Sequence, residues 1–271
     1  PEVVVLLLFL SVLRVGPDAL LARLGDFPKV FGVVLGFQFA APLLILGLGA
    51  VLGVADTPLV LAAFLVAAAP AIVGSPNICA LLGVDPTRSL MLLITGTALL
   101  PLTIIPLFTL SQQLDSLAEV LRASQVLIVT LGGTIAVAVA TRRWLLRKPS
   151  SEVLRRLDGM SALVLAVFVV GLMPAMRHSL ANTPLQAILW LAVAFTINWG
   201  AQWVTYALTV RRHGRPIAIA NGIYAGNRNI ALFLVALPEE VTGPIMVFVG
   251  CYQFPMYLTP IFMGYCSRSP E

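Results

Sequence analysis

Apolar residues run along this chain in blocks of about 20, parted by glycine, proline or charge. Nine blocks stand out, at residues 2–15, 28–53, 58–83, 87–111, 122–146, 159–177, 184–210, 216–237 and 241–266. Blocks of this length suit helices crossing roughly 30 Å of hydrocarbon. Strands of a membrane barrel would be shorter and would alternate in polarity. The expected fold is all-α, a polytopic membrane bundle of these nine spans. Composition removes the soluble alternative: 59% of the 271 residues are hydrophobic, only 11% are charged, and mean hydropathy is +0.97. A soluble domain carries roughly a quarter charged residues.

Net charge is +5, but the basic residues sit in short loops without interleaved aromatics, so no nucleic-acid partner is expected; the lipid bilayer is. With nine spans, alternate loops share a side. Fourteen of the 17 Lys and Arg residues then fall on one side and only Arg122 and Arg177 on the other, while Arg228 lies inside a span. The positive-inside rule makes the rich side cytoplasmic. The expectation is a multi-pass protein of the cell's inner, or plasma, membrane, with an external N-terminus and a cytoplasmic C-terminus. The basic stretch 142–156 reads as an anchor on anionic lipid. Cys79, Cys251 and Cys266 lie in apolar segments with no CxxC pair, which suggests neither a disulfide framework nor a zinc site. The chain starts at Pro1 without methionine or a signal-peptide pattern, and a helix missing ahead of it would account for the external start.

Two stretches echo one another. Pro101-Leu-Thr-Ile-Ile-Pro106-Leu-Phe108 in the fourth block matches Pro255-Met-Tyr-Leu-Thr-Pro260-Ile-Phe262 in the ninth. Upstream, Gly74-Ser75-Pro76-Asn77 corresponds to Gly226-Asn227-Arg228-Asn229, and Gln38-Phe39 to Gln202-Trp203. Blocks two to four thus resemble blocks seven to nine. An odd offset of five spans would set the copies in opposite orientations, as in secondary transporters built from inverted repeats.

Each copy carries an interruption. Pro70 and Pro76 remove backbone donors, and Gly74 frees the chain from helical dihedrals, so a break is expected over Gly74–Asn77. Unwound backbone at membrane depth is tolerated only where it lines a cavity or is buried in protein. Carbonyls, the Ser75 hydroxyl and the Asn77 amide would there suit a monovalent cation or a polar substrate. The eighth block holds Asn221, Tyr224, Asn227, Arg228 and Asn229. A charge as deep as Arg228 costs roughly 3 kcal/mol to insert and is a functional candidate by default. Two readings stay open: its fork holds a carboxylate or sulfonate, or it bonds broken-helix carbonyls in place of a bound cation. The substrate-binding candidates are Arg228, Asn229, Asn227, Asn77, Asn221 and Tyr224. Gln38, Thr95, Thr97, Asn198 and Gln202 are further polar residues within apolar runs that either reach a midplane cavity or bond a neighbouring helix.

These residues resemble the bile acid:sodium symporter family. The resemblance is carried by Phe27-Pro28-Lys29-Val30 entering a helix with Gln38-Phe39 and Pro42. It continues through Ala69-Pro70, Gly74-Ser75-Pro76-Asn77 and Leu99-Leu100-Pro101, and then Arg215 to Gly222 leading into the second interruption. It extends over essentially the whole chain at weak similarity. It implies ten helices, of which this chain lacks the first, with two crossing broken helices in a core domain beside a panel domain. Panel-type helices would be about 1–16, 122–146 and 159–177, and core-type helices about 28–111 and 184–266. The implied activity is alternating-access transport of a small organic anion, usually driven by sodium. Ser75, Asn77, Thr97 and Gln38 fall at sodium-ligand positions, so no cofactor is expected apart from such an ion. Ala220 stands where the family has a shared glutamate, and Tyr224 where it has a glutamine. Without that carboxylate, sodium coupling is the weakest part of the resemblance.

An enzyme is not expected: the chain has only His178 and His213, both placed in loops, and no carboxylate inside a span. Other readings are a ligand-sensing scaffold of the same build that moves nothing, and a proton- or cation-coupled transporter. The absence of intramembrane Asp or Glu speaks against a proton relay.

Overall fold

The computed structural model describes residues 2–14, 24–111, 116–147 and 149–267. Among these the chain is helical almost throughout, and the one β-type pairing is an isolated antiparallel bridge between Ala71 and Arg228. The helices are α1 (Glu2–Arg14), α2 (Phe27–Val51), α3 (Pro58–Ala68), α4 (Ser75–Leu81), α5 (Thr87–Ser111), α6 (Leu117–Trp144), α7 (Ser151–Asn182), α8 (Pro184–Gly226), α9 (Phe233–Ala236) and α10 (Glu239–Cys266). Five of them, α2, α5, α6, α8 and α10, are long and apolar enough to cross a membrane. Arg23, Lys148 and Arg268, counted in the charge asymmetry, lie outside the described residues.

Local chemistry explains the boundaries. Thr57, Ser116 and Ser150 cap α3, α6 and α7, each accepting from the backbone N–H three residues on. The cap at Ser150 draws residues 151–158, expected as loop, into α7. That helix runs on to Asn182, so His178 sits on an exposed helical turn and not in a loop. His213 likewise lies within α8, ahead of Gly214, whose φ of 78° breaks that helix into segments 184–213 and 215–226. Proline starts several helices, where its missing N–H costs nothing, as at Pro28, Pro58 and Pro184. Within α2, the Pro42 ring would press on the Gln38 carbonyl. A π turn over Gly36–Ala40 absorbs the conflict, closed by the Ala41 N–H on the Gly36 carbonyl.

The first interruption differs from the expected one. It spans residues 69–74, and Gly74–Asn77 instead opens α4. Pro76 sits at the start of that helix, where proline is a helix starter. Pro70 is the breaker: it forces Ala69 into an extended conformation, φ −68° and ψ 151°. The second interruption, Asn227 to Asn229, lies where it was expected, followed by a 3-10 turn at Ile230–Leu232.

Polarity is distributed inside out. Val51 is 85% exposed, Leu208 74%, Ile261 72% and Leu163 70%, whereas Gln38, Asn198, Gln202, Asn227 and Thr259 are fully buried. Apolar side chains facing outward and hydrogen-bonding side chains packed inward match a bundle whose solvent is lipid. Helix α1 packs between α6 and α7, α2 lies on α5, and α8 lies along α10.

Candidate functional site

The two interruptions meet. The Ile72 N–H donates to the Asn227 carbonyl at 2.9 Å, and the Asn229 N–H to the Pro70 carbonyl at 2.7 Å. Each unwound strand thereby satisfies backbone groups of the other, which lipid could not do. On the second interruption, the Gly226 carbonyl accepts from Asn198 Nδ2 at 2.7 Å and from the Tyr252 hydroxyl.

Arg228 lies at this crossing with 1% exposure. Its Nε donates to the Val66 carbonyl at 3.3 Å, Nη2 to the Ala67 carbonyl at 2.5 Å, and Nη1 to the Tyr224 carbonyl at 3.2 Å. These acceptors are short of their ordinary helical donors, though the Val66 carbonyl also takes the Ala69 N–H at 3.3 Å. The helical donor for Val66 would be residue 70, a proline without an N–H, and α3 unwinds before residue 71 can serve Ala67. The Tyr224 carbonyl lies in the last turn of α8. The guanidinium also sits 4.5 Å from the centroid of the Tyr224 ring. Of the two readings of Arg228, its hydrogen bonds match the second: it caps broken-helix carbonyls.

Tyr224 reaches further. Its hydroxyl donates to Gln38 Oε1 at 3.3 Å, and Gln38 Nε2 donates to the Gly96 carbonyl at 2.9 Å. Gln38 is held at this point by the π turn of α2. A second buried cluster ties α8 to α10. Asn227 Oδ1 accepts from Asn198 Nδ2 and from the Thr259 hydroxyl, each at 3.0 Å, and Gln202 Nε2 donates to Thr259 Oγ1 at 3.0 Å. Replacing Tyr252 by phenylalanine leaves the Gly226 carbonyl one donor, Asn198. The expected cost is about 1 kcal/mol, read as a lowered unfolding temperature of the detergent-purified protein.

Beside the crossing lies a cavity of about 370 Å³. Ile72, Gly74 and Asn77 line it from the first interruption and α4, and Arg228 and Asn229 from the second. Val4 of α1, Asp158, Ser161 and Phe168 of α7, and Gln253 and Tyr257 of α10 close it; against the expectation of no carboxylate inside a span, Asp158 lies within α7 and borders the cavity. The Ser161 hydroxyl and one N–H of the Gln253 amide donate to the carbonyls four residues back, Leu157 and Val249. Asn77 and Asn229 are both half-buried, and neither side-chain amide bonds to another described residue.

The remaining candidates separate. Asn221 does not join this cavity: its Oδ1 accepts from Arg88 Nε at 3.0 Å and it borders another cavity, of about 490 Å³, between α2, α5 and α8. Asn227 faces the α8–α10 cluster, and Tyr224 faces Gln38. Of the expected ion ligands, Thr97 bonds the Leu93 carbonyl at 2.8 Å, Ser75 Oγ is buried without a partner among the described residues, Gln38 is engaged as described, and Asn77 borders the cavity. Tyr252 and Thr259 were not among the expected residues. Thr259 stands directly before Pro260 of the repeated proline motif, a polar residue in an apolar run, and that was the available signal.

No protein-family model matches the chain, and no curated protein matches it.

Proposed function

We propose that this chain is a secondary transporter of a small organic anion and not an enzyme, working by alternating access in the cell's inner membrane with its C-terminus on the cytoplasmic side. The observation that carries this reading is the cavity at the crossing, where two uncommitted amides, Asn77 from the first turn of α4 and Asn229 from the second interruption, face the same space beside a buried guanidinium. Arg228 uses three N–H groups on carbonyls, of the five a guanidinium has, so donors remain beside the cavity, which Asp158 also borders. A carboxylate or sulfonate suits such surroundings, with the amides fixing its orientation.

In this reading the chain crosses nine times. The helices α1, α2, α5, α6, α7 and α10 cross singly, α3 with α4 makes one crossing, and α8 makes one up to Gly214 and another onward through α9. The segments α2–α5 and α8–α10 are inverted copies forming a core, and α1, α6 and α7 form a panel. The cavity lies on the seam between the two groups, lined by Val4 and Phe168 on one side and by the interruptions on the other. Tilting one group against the other would open it to alternate sides while the site stays whole. The resemblance to the bile acid:sodium symporter family points to the same activity.

Reconstituted liposomes test the proposal. At least one labelled carboxylate or sulfonate from a panel is expected to enter saturably, and only with the protein present. Binding of such an anion without uptake, under sodium, proton or no gradient, would favour the sensing scaffold and sink the transport reading.

A further inference from the structure

We infer that the Arg228 guanidinium is a tethered cation: it permanently fills the place where converging carboxyl ends of two half-helices would otherwise draw a monovalent ion, so the protein neither binds sodium at the crossing nor depends on its gradient. The inference deepens the transport reading and rests on it for its consequence for coupling.

The carboxyl end of a helix carries roughly half a negative charge. Two such ends meet here, α3 offering the Val66 and Ala67 carbonyls and α8 that of Tyr224. A cage of carbonyl oxygens in a low-dielectric interior is an environment for a hard cation, and an empty one would leave the Ala67 and Tyr224 carbonyls short of a donor, Val66 keeping only a shared bond from the Ala69 N–H. Here every one of those oxygens receives a guanidinium N–H. The Tyr224 ring beneath the guanidinium adds attraction for a cation. The arrangement is written into the chain: Pro70 withholds the donor that would have closed α3, and Arg228, inside the second break, supplies one.

Of the side-chain oxygens expected to complete an ion site, two are spent and two are left. Gln38 Oε1 accepts the Tyr224 hydroxyl. Thr97 has turned to its own helix. Ser75 Oγ and Asn77 Oδ1 are left over, two neutral oxygens where a hard cation requires several. Ala220 brings no carboxylate. A planar guanidinium has the further property that it cannot leave. The crossing therefore keeps its charge through every step of a transport cycle, with no ion to load or release.

The test uses the full chain purified in detergent, without substrate, in sodium, potassium or N-methyl-D-glucamine chloride at equal ionic strength. The unfolding temperature of the native protein is expected to agree across the three salts, with no saturable binding of radioactive sodium. Arg228→Ala bares the carbonyls; its unfolding temperature should fall by about 5 °C or more in N-methyl-D-glucamine and recover as sodium or potassium is added. Should that variant fail to fold, Arg228→Lys, which keeps a charge, should fold and remain indifferent to the salt. Saturable sodium binding by the native protein overturns the inference, and so does an Arg228→Ala protein that folds and ignores all three salts. Uptake of any anion found to be carried should be equally fast with and without a sodium gradient. Because cation binding is read without substrate, a failure of the transport reading leaves that result standing. Sodium binding, conversely, would remove the tethered cation and leave transport intact.

Discussion

Gly226→Ala is expected to prevent the second half of the chain from assembling. A methyl group on residue 226 would overlap the Asn198 carbonyl and the Gln202 side chain. A long side chain could swing aside, but the Asn198 carbonyl is helix backbone, so α8 would have to bend away from itself across the Gly214 break. The displacement would also part the Gly226 carbonyl from Asn198 Nδ2 and from Tyr252, and loosen Asn227 from Thr259. Overpacking alone costs about 1–3 kcal/mol. Each buried carbonyl left without a donor adds about 1–3 kcal/mol. A total of roughly 3 kcal/mol or more is a large share of a typical folding free energy. The measurable outcome is loss of a monodisperse peak after detergent extraction. Gly25→Ala serves as a control, because no atom of the described residues lies within 4 Å of where its methyl would go. A Gly226→Ala protein as stable as the control would mean that the approach of the two segments of α8 is looser than described.

How much of this was legible beforehand depends on the physical range of each feature. Helix placement was local: the apolar blocks and their proline and glycine punctuation put α2, α5 and α10 within two residues of where they lie. The position of the first break was also local, but Pro76 was read as a breaker when its place at a helix start made it an initiator, and Pro70 did the breaking. The exclusion of Asn221 from the cavity could have been calculated from depth: it lies five residues, about 7.5 Å of helix rise, ahead of the Gly226 end of α8 and so short of the crossing. The acceptors of Arg228 could not have been. Its position at the break was in the sequence, but Val66 and Ala67 lie some 160 residues away, and only the folded chain brings them to it. The same holds for Tyr252, whose hydroxyl meets the Gly226 carbonyl from another helix.

Leucine at both Asn77 and Asn229 is expected to abolish transport without harming the fold. The two amides are the part of the crossing that the protein does not use for itself: neither bonds another described residue, though both border the cavity. Leucine preserves their volume, so no void opens behind them, and apolar atoms replace polar ones in a mainly apolar pocket. The unfolding temperature should therefore hold or rise slightly. A bound anion would lose one hydrogen bond at each position. Bonds to charged groups contribute about 1.5–3 kcal/mol apiece, so each single variant should lower uptake at limiting substrate by roughly tenfold and the pair by roughly a hundredfold. The Asn227→Leu variant gives the opposite pattern, since its amide oxygen accepts from Asn198 and Thr259 and the cavity does not touch it. It should unfold at a lower temperature, with uptake per folded molecule largely kept. If instead Asn77→Leu and Asn229→Leu destabilise the protein while Asn227→Leu selectively removes uptake, the substrate sits among α8 and α10, and the space at the crossing is structural.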